Sequence, residues 1–478
     1  MEPFAELAAQ GAMIERLTSD SRRCTPGTAF FAYPGEKADG RAHIADALAR
    51  GASAVLWESA DRFPWRDEWR VANVGVEALK SRAGELAAAF YGRPSERLWT
   101  CGITGTNGKT SCSQWLAALL EMTGTRAGVI GTLGSGYPGQ LAGAGNTTPD
   151  ALELQERLAR FAHEGAGAVS MEVSSHGLVQ GRVNGVRFAC ALFTNLSHDH
   201  LDYHGSMQAY AEAKTRLFDM PGLQAAVLNM DDALGRELAQ RMRARGVRTI
   251  GYATHGPARA AGEFLHARGD AIDSSWGSAP LRVNAVGHFN VANALGVLGC
   301  LLAKGLAFDE ALPLLERLPG VPGRMQKVSE RPLVVIDYAH TPDALEKVLG
   351  ALRPVAAARR GRLVAVFGAG GDRDPSKRPL MGEVAGRLAD RVVLTSDNPR
   401  GEEPQAIIAA IAAGMKGGHE VEPDRARAIG AAIQAAADED VVLLAGKGHE
   451  TYQEARGTRL PFSDAAVARG ALASRSRA

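Results

Sequence analysis

Short apolar runs alternate with stretches of helical periodicity over most of the chain. Beyond Leu98 the apolar runs occupy residues 127–132, 168–173, 188–195 and 225–229. Between them, apolar residues recur at intervals of three and four, which is the period of an amphipathic helix. Strands that alternate with helices in this way indicate βαβ units. The pattern therefore predicts an α/β fold built on a mainly parallel sheet.

Two clusters of breaker residues divide the chain. The first, at residues 91–94, reads Tyr-Gly-Arg-Pro and follows an Ala-rich stretch of helical pattern at 76–90. The second, at 318–323, reads Leu-Pro-Gly-Val-Pro-Gly. A chain of 478 residues also exceeds one ordinary domain. We therefore predict three domains, which cover residues 1–93, 94–321 and 322–478.

Four strand-like runs in the last third of the chain each end in a polar loop. The loops cover residues 337–343, 368–374, 395–400 and 445–450. Ligands of open parallel sheets bind beyond the carboxyl ends of the strands. We therefore expect these four loops to converge on a single site.

Composition narrows the range of partners. A formal net charge of +1 provides no electrostatic attraction for nucleic acid or for an anionic membrane. The N-terminus is acidic without an apolar signal core, and no stretch is long enough to span a bilayer, so we expect a cytoplasmic protein. The five cysteines are scattered without metal-ligand spacing, and we expect them to be reduced and mostly buried.

Residues 102–111 read Gly-Ile-Thr-Gly-Thr-Asn-Gly-Lys-Thr-Ser between a strand-like run and a helical pattern. This is the arrangement of a phosphate-binding loop, in which glycines let backbone N–H groups converge on the anion. Lys109 supplies a positive charge, and the Thr110 hydroxyl can reach Mg²⁺. The usual pattern has a glycine where this chain has Ile103, so a Gly-rich turn without a ligand is the alternative. With Lys-Thr at the helix start, we favour a site for ATP or a related nucleotide.

Two further segments carry residues that bind metals. Glu172 ends a strand-like run near the phosphate loop and suits Mg²⁺, although a strand-end carboxylate facing water is the alternative. Residues 195–204 contain three histidines and two aspartates in one loop. Zinc is the rival ion there, but no cysteine is nearby and no histidine pair shares a helical face, so we favour Mg²⁺. Lys214, by contrast, falls on the exposed face of its predicted helix.

Arg373 and Arg400 lie in two of the four polar loops. Each guanidinium offers a planar fork that suits a carboxylate. Two such residues at neighbouring strand ends predict a substrate with more than one acid group. The alternative is that each caps an adjacent helix or pairs with a local aspartate.

With these residues identified, the chain resembles the Mur ligases of peptidoglycan synthesis almost from end to end. The motifs that carry the resemblance are residues 20–22, 26–27, 30–32, 104–110, 146–149, 172–176, 194–204, 213–214, 287–290 with Asn293, 323–325, 337–342, 370–378, 397–400 and 446–450. The resemblance implies a UDP-binding N-terminal domain, a central P-loop-type ATP domain and a C-terminal Rossmann-like domain for the incoming amino acid.

The resemblance also implies ATP-driven amide formation, which adds meso-2,6-diaminopimelate to UDP-N-acetylmuramoyl-L-alanyl-D-glutamate. The D-Glu side-chain carboxylate would attack the γ-phosphate, giving an acyl phosphate and ADP. The diaminopimelate amine would then attack, and phosphate would leave. Lys109 and Mg²⁺ would offset the charge on the transferred phosphoryl group.

Residues that match the family's motifs take their roles from the resemblance. Catalysis would rest on Lys109, Glu172, His200 and Lys214. Mg²⁺ would be held by Thr110, Glu172, His200 and Lys214, the last as a carbamate. ATP would be bound by Gly105, Thr106, Asn107, Gly108, Lys109, Thr110, Asn290, Asn293, Arg324, Asp337 and His340. Ser21 would touch the uridine nucleotide, and the muramoyl-dipeptide would meet Asn146, Thr147, Thr148, Ser174, Gln180 and Arg182. Diaminopimelate would be recognised by Arg373, Asp397, Asn398, Pro399, Arg400, Gly446 and Glu450.

Arg400 bears on the choice of amino acid. Diaminopimelate carries a second carboxylate that lysine lacks, and lysine-adding relatives lack this arginine. A buried arginine without its carboxylate costs several kcal/mol, so lysine should be rejected by a factor on the order of 10³ or more. A lysine-adding sister ligase is the nearest alternative, and a nucleotide-dependent switch ATPase is an alternative of another class. Family members are usually monomers, so we expect no partner beyond the substrates.

Overall fold

The computed structural model describes residues 2–36, 38–60, 63–143 and 145–475. Within these ranges the chain forms three successive α/β units, each with a sheet of its own. The predicted α/β class with mainly parallel sheets is confirmed. Among the described residues, no helix is long and apolar enough to cross a membrane.

The first unit has a parallel sheet in the order β1-β2-β3-β4. Its elements are α1 (Glu2–Ala9), β1 (Arg16–Thr18), β2 (Thr28–Ala32), α2 (Ile44–Ala49), β3 (Ala54–Glu58), β4 (Ala72–Val76) and α3 (Leu79–Phe90). Val76 thus ends a strand, whereas the sequence pattern placed it in the helix. The Glu58 carboxylate explains where α3 begins, because it accepts hydrogen bonds from the N–H groups of Ala78 and Leu79.

The central unit has the strand order β15-β14-β13-β12-β11-β10-β5-β9-β6-β7-β8. Its strands are β5 (Trp99–Thr104), β6 (Ala127–Gly131), β7 (Gly134–Tyr137), β8 (Gln140–Ala142), β9 (Ala168–Glu172), β10 (Cys190–Phe193), β11 (Ala225–Asn229), β12 (Arg248–Ala253), β13 (Glu263–Arg268), β14 (Ala271–Ser274) and β15 (Gly277–Pro280). Its helices are α4 (Lys109–Met122), α5 (Ala151–His163), α6 (Ser175–Val179), α7 (Leu201–His204), α8 (Met207–Thr215), α9 (Ala233–Ala244), α10 (His288–Lys304) and α11 (Phe308–Ala311).

In spatial order, the neighbouring strands β13, β12, β11, β10, β5, β9 and β6 form the parallel middle of this sheet. The antiparallel pairs lie at its two edges. Two hydrophobic clusters cover its faces, one with α4 and α10 and the other with α5 and α9. Because both faces are covered, β9, β10 and β11 are buried along their whole length and consist mainly of apolar residues.

The third unit has the strand order β16-β17-β21-β18-β19-β20, in which only β16 is antiparallel to its neighbour. Its strands are β16 (Gln326–Glu330), β17 (Leu333–Asp337), β18 (Leu363–Phe367), β19 (Arg391–Leu394), β20 (Glu420–Val421) and β21 (Val441–Ala445), followed by the hairpin β22 (Tyr452–Ala455) and β23 (Thr458–Pro461). Its helices are α12 (Pro342–Arg359), α13 (Lys377–Leu388), α14 (Pro404–Ala412), α15 (Arg425–Gln434) and α16 (Asp464–Arg475).

The topology determines where the polar loops lie. Strands β17, β21, β18 and β19 are parallel neighbours, so the four loops that follow them share one edge of the sheet, as the sequence predicted. In the central sheet, β5 lies between β9 and β10. The phosphate loop, Glu172 and the His-rich loop therefore begin at adjacent carboxyl ends.

Candidate active site

A cavity of about 1080 Å³ is lined by residues from the carboxyl ends of both larger sheets. All the candidate residues predicted from the sequence line it except Ser21, Gly105, Thr148 and Pro399. Ser21 lies in the first unit, at the start of a short 3₁₀ turn. Thr148 is fully buried behind the cavity wall, where its hydroxyl donates to the Glu172 carbonyl and its oxygen accepts from the Ser174 N–H.

The phosphate loop depends on two glycines with left-handed backbone. Gly105 has φ +146° and Gly108 has φ +88°. A Cβ at Gly105 would collide with the Thr194 hydroxyl, and one at Gly108 would collide with the Asn293 side-chain oxygen. Lys109 Nζ folds back over the loop and donates to the carbonyls of Gly105 and Thr106, at 2.8 Å each. The loop thus holds its lysine directly above the N-terminus of α4, where phosphate would sit.

Glu172 is buried at the end of β9 and has only neutral partners among its hydrogen bonds. Its carboxylate accepts from Thr110 Oγ1 at 3.1 Å, from Thr132 Oγ1 at 3.1 Å and from the Thr132 N–H at 2.9 Å. Among the described residues this buried carboxylate has no salt-bridge partner, so it favours binding a positive charge. Mg²⁺ takes oxygen ligands, and the Thr110 hydroxyl is within hydrogen-bond reach of this carboxylate. The residues therefore fit a Mg²⁺ ion.

His200 faces the same cavity from the His-rich loop. Its backbone is left-handed, with φ +54°, and its N–H donates to the Asp199 carboxylate at 2.9 Å. The ring packs edge-on against His176, with the centroids 4.9 Å apart. Burial lowers the pKa of His200 to about 3. The imidazole is therefore neutral near pH 7, which is the form that binds metals.

The prediction that Lys214 lies on the exposed face of its helix is wrong, because the structure buries this side chain. Only 1% of its surface is accessible, and its Nζ lies 4.1 Å from the centroid of the Tyr210 ring. Burial and the nearby charge of Lys109 hold the pKa of Lys214 well below its usual value. Helical periodicity predicts the wrong face because it considers one helix at a time, whereas α6 and α7 pack against α8 in the fold. A neutral amine that lines the cavity is a nucleophile.

The loops of the third unit bring Arg400 and Asn398 to the cavity. Arg400 has φ +48°, and its backbone is held by hydrogen bonds with Glu454 and Arg456. The described residues give its guanidinium one hydrogen bond, to the Gly371 carbonyl at 2.8 Å, and no carboxylate partner. Four of its five N–H donors are therefore free for a ligand.

Three comparisons with known proteins bear on this arrangement. Family models match residues 13–91 (Mur ligase family, catalytic domain), 103–301 (Mur ligase middle domain) and 323–448 (Mur ligase, glutamate ligase domain). A UDP-N-acetylmuramoyl-L-alanyl-D-glutamate–2,6-diaminopimelate ligase from Janthinobacterium sp. (strain Marseille) is 51% identical, over 98% of this chain and 96% of its own. The chain belongs to the Mur ligase family.

A second curated relative and a solved structure carry the same description as the Janthinobacterium ligase. A ligase of the same description from Pseudomonas aeruginosa is 50% identical to this Mur ligase, over 96% of this chain and 95% of its own. A solved structure of a UDP-N-acetylmuramoyl-L-alanyl-D-glutamate–2,6-diaminopimelate ligase superposes with a TM-score of 0.67 at 36% identity, covering 97% of this chain and 95% of that one.

Among the residues around the cavity of this Mur ligase that sequence reasoning missed, Lys447 and Glu36 contact predicted site residues. Lys447 is fully buried, and its Nζ donates to Asn398 Oδ1 at 3.0 Å and to Glu450 Oε2 at 2.9 Å. It was missed although it lies inside the loop 445–450, because a lysine between glycines is typical of exposed loops. Glu36, from the first unit, accepts from the Tyr203 hydroxyl at 2.8 Å and from Gln180 Nε2 at 2.9 Å. No local pattern marks it.

A buried ion pair supports the cavity loops from behind. Arg425 and Asp464 pair at 2.7 Å with both side chains 0% exposed. The same guanidinium donates to the carbonyl of Ser396 at 3.3 Å and to that of Ala445 at 2.9 Å. These carbonyls precede Asp397 and Gly446, so one side chain ties two strand ends of this Mur ligase together across β18.

Replacing Arg425 with methionine should strongly destabilise the third unit. The change leaves Asp464 buried without a partner, which typically costs about 3–5 kcal/mol of unfolding free energy. Arg427→Met is the matched control, because Arg427 pairs with Glu422 while its side chain is 75% exposed, and it should change stability by no more than about 0.5 kcal/mol. Urea unfolding followed by circular dichroism measures both. Equal midpoints for the two variants would contradict the structural role of the pair.

Proposed function

We propose that this Mur ligase adds meso-2,6-diaminopimelate to UDP-N-acetylmuramoyl-L-alanyl-D-glutamate at the expense of ATP. The observation that carries the proposal is Arg400, whose guanidinium has no carboxylate partner among the described residues and faces the cavity that also contains the phosphate loop. A dicarboxylic amino acid supplies the missing carboxylate. The full-length similarity to ligases of that description supports the same substrate.

The phosphate loop and Lys109 would bind the ATP phosphates. Lys109 would release the carbonyls of Gly105 and Thr106 and turn its ammonium group toward the γ-phosphate, where negative charge develops. Asn290, Asn293, Arg324, Asp337 and His340 would hold the rest of the nucleotide. Arg324 already donates to Thr110 Oγ1 at 3.1 Å and so links the third unit to the phosphate loop.

Thr110, Glu172, His200 and Lys214 would hold Mg²⁺. Bound Mg²⁺ would supply positive charge that offsets the charge of the transferred phosphoryl group. Glu172 is already oriented for this by Thr132, which donates both its hydroxyl and its N–H to the carboxylate. His200 would contribute its neutral ring.

Lys214 would act as a carbamate. Its neutral amine would attack CO₂, so that a C–N bond forms, one C=O π bond breaks and a proton leaves the nitrogen. The product is a carboxylate at the end of the lysine side chain, which turns a neutral amine near Lys109 into an anionic ligand for Mg²⁺. This would explain a lysine that the described structure buries without an acidic partner within salt-bridge distance.

The acyl donor, which is the muramoyl-dipeptide, and the amino acid would meet at the centre of the cavity. Asn146, Thr147, Ser174, Gln180 and Arg182 would hold the muramoyl-dipeptide, and Ser21 would hold the uridine nucleotide. Thr148, which is buried, would act only by fixing the backbone of Ser174. The D-Glu side-chain carboxylate would attack the γ-phosphorus and displace ADP. The amine of diaminopimelate would then attack the acyl phosphate, lose a proton and displace phosphate.

At the far end of diaminopimelate, Arg373 and Arg400 would bind the distal carboxylate. Asp397, Asn398 and Glu450 would bind the distal ammonium group, and Pro399 and Gly446 would shape the pocket around it. Lys447 holds Asn398 and Glu450 in place for this contact.

We assign the UDP moiety to residues 1–93, ATP to 94–321 and the amino acid to 322–478. We further propose that the enzyme acts as a cytoplasmic monomer. An N-terminal unit joined to the cavity through Glu36 is consistent with a long substrate that spans two domains.

Phosphate release tests the proposed reaction directly. With ATP, Mg²⁺ and UDP-N-acetylmuramoyl-L-alanyl-D-glutamate present, we expect release when meso-diaminopimelate is added and almost none when L-lysine is added instead. Release with lysine at a comparable rate would replace the proposal with the lysine-adding ligase. Sustained release without either amino acid would favour the switch ATPase.

A further inference from the structure

Three of the five cysteines converge in the core of the central unit, although they are scattered in the sequence. Cys101 of β5 and Cys190 of β10 are paired directly in register on neighbouring strands. Cys300 approaches them from α10, with its Sγ 3.8 Å from that of Cys101. All three Sγ atoms lie within 4.8 Å of one another, and each residue is 0% exposed.

The surroundings of these three thiols are apolar. They belong to the hydrophobic cluster formed by α4, α10 and the central strands, with Leu192 and Val227 as further members. Among the described residues, no histidine or carboxylate joins the three-sulfur group. Charge left on the group after a ligand binds would therefore lie in a low-dielectric core, at high cost.

The net charge of the complex between the three thiolates and a bound ion indicates which ion the site would favour. Three thiolates around a monovalent or divalent cation retain a net negative charge, whereas three thiolates around a trivalent centre are neutral. Thiolates prefer soft centres. Trivalent arsenic is soft, forms three bonds to sulfur and exists near neutral pH as As(OH)₃, a small uncharged molecule.

We propose that Cys101, Cys190 and Cys300 form a binding site for trivalent arsenic, and that its occupation inhibits the enzyme. Three As–S bonds form, three As–O bonds break, and the thiol protons leave with the hydroxides as three water molecules. No electron is transferred and no co-reactant is needed. Entry follows local opening of the core, since the site is closed to solvent.

Inhibition is expected because two of the elements that hold these cysteines, β5 and α10, also position the nucleotide site. Strand β5 runs into the phosphate loop, and α10 bears Asn290 and Asn293 on its N-terminal part. Asn293 lies seven residues before Cys300, or about 10 Å along the helix, and its side-chain oxygen lies against Gly108. Three As–S bonds would draw α10 toward β5 and β10. The spacing of Asn293 and the phosphate loop would change with it.

The test treats the intact, phosphine-reduced protein with arsenite and removes the excess. We expect native mass spectrometry to show one arsenic atom gained and three hydrogens lost per chain. X-ray absorption at the arsenic edge should show three sulfur neighbours, and phosphate release should fall in proportion to occupancy. Cys300→Ala should abolish the adduct and the inhibition while leaving untreated activity unchanged. Cys24→Ala and Cys112→Ala, which remove the other two buried cysteines, should behave like the unmodified protein.

The mass and absorption readouts need no substrate, so they test the site even if the proposed function, on which the inhibition rests, fails. No adduct in the unmodified protein, or an undiminished adduct in Cys300→Ala, would overturn the site. Full occupancy with unchanged phosphate release would overturn the inhibition. Should Cys300→Ala fail to fold, Cys300→Ser keeps the volume and removes one sulfur neighbour, and three sulfur neighbours in that variant would equally refute the proposal.

Discussion

Lys214→Ala should lower ligase turnover by at least about 100-fold, because replacing residues that merely orient a metal ligand already costs about 10–100-fold. The structure places this lysine in the cavity wall, 1% exposed and against the Tyr210 ring. Alanine removes the amine, and with it the carbamate and a negative charge that Mg²⁺ would need. Initial rates of phosphate release with saturating substrates measure the loss.

A carboxylate supplied from solution should restore part of the activity of this variant. The space left by the lysine side chain admits a small anion, so acetate or bicarbonate at high concentration can take the place of the carbamate oxygens. Lys416→Ala, which changes an exposed lysine in the third unit, is the control and should match the unmodified enzyme with or without added anion. Full activity of Lys214→Ala would show that the lysine is only structural. Loss without any rescue, in a variant with an unchanged melting temperature, would count against the carbamate.

The elements that position the site were predictable because their signals are local. Parallel strands buried on both faces produce apolar runs that can be read directly, and β11 was predicted to the residue. The phosphate loop was equally clear, since Gly105 and Gly108 are required by close contacts that no other residue tolerates. The polar loops after β17, β18, β19 and β21 were predicted to converge because strand ends of a parallel sheet share an edge.

What the sequence did not reveal depends on contacts between distant segments. Helical periodicity predicts an exposed Lys214 because it considers one helix at a time and does not reveal that α6 and α7 pack against α8. Arg425 and Asp464 are 39 residues apart and meet only in the folded core. The cysteines were predicted to be buried and reduced, and all five are free and buried. Their linear spacing, however, contains no trace of the three that meet.

Arg400→Ala should reduce kcat/KM for meso-diaminopimelate by about 30-fold to 1000-fold or more, while the KM for ATP changes little. Truncating one partner of a buried charge pair costs about 2–5 kcal/mol, much of it from the charge left unpaired. Here the unpaired charge would be the distal carboxylate of the substrate. L-Lysine lacks that carboxylate, so its slow use should not fall further, and discrimination between the two amino acids should collapse.

Arg456→Ala separates this effect from a general loss of positive charge. Arg456 lies beside Arg400 through a backbone hydrogen bond, but its side chain is 82% exposed and pairs with Glu403. We expect it to leave both amino-acid constants unchanged. Arg400→Lys should recover only part of the lost kcat/KM, since an ammonium group keeps the charge but cannot bind a carboxylate with two parallel N–H donors. Equal losses for ATP and diaminopimelate in Arg400→Ala would mean that Arg400 supports the cavity as a whole. If Arg400→Ala still discriminates against lysine as the unmodified enzyme does, the second carboxylate is recognised by Arg373, the other guanidinium of the two predicted for it that lines the cavity.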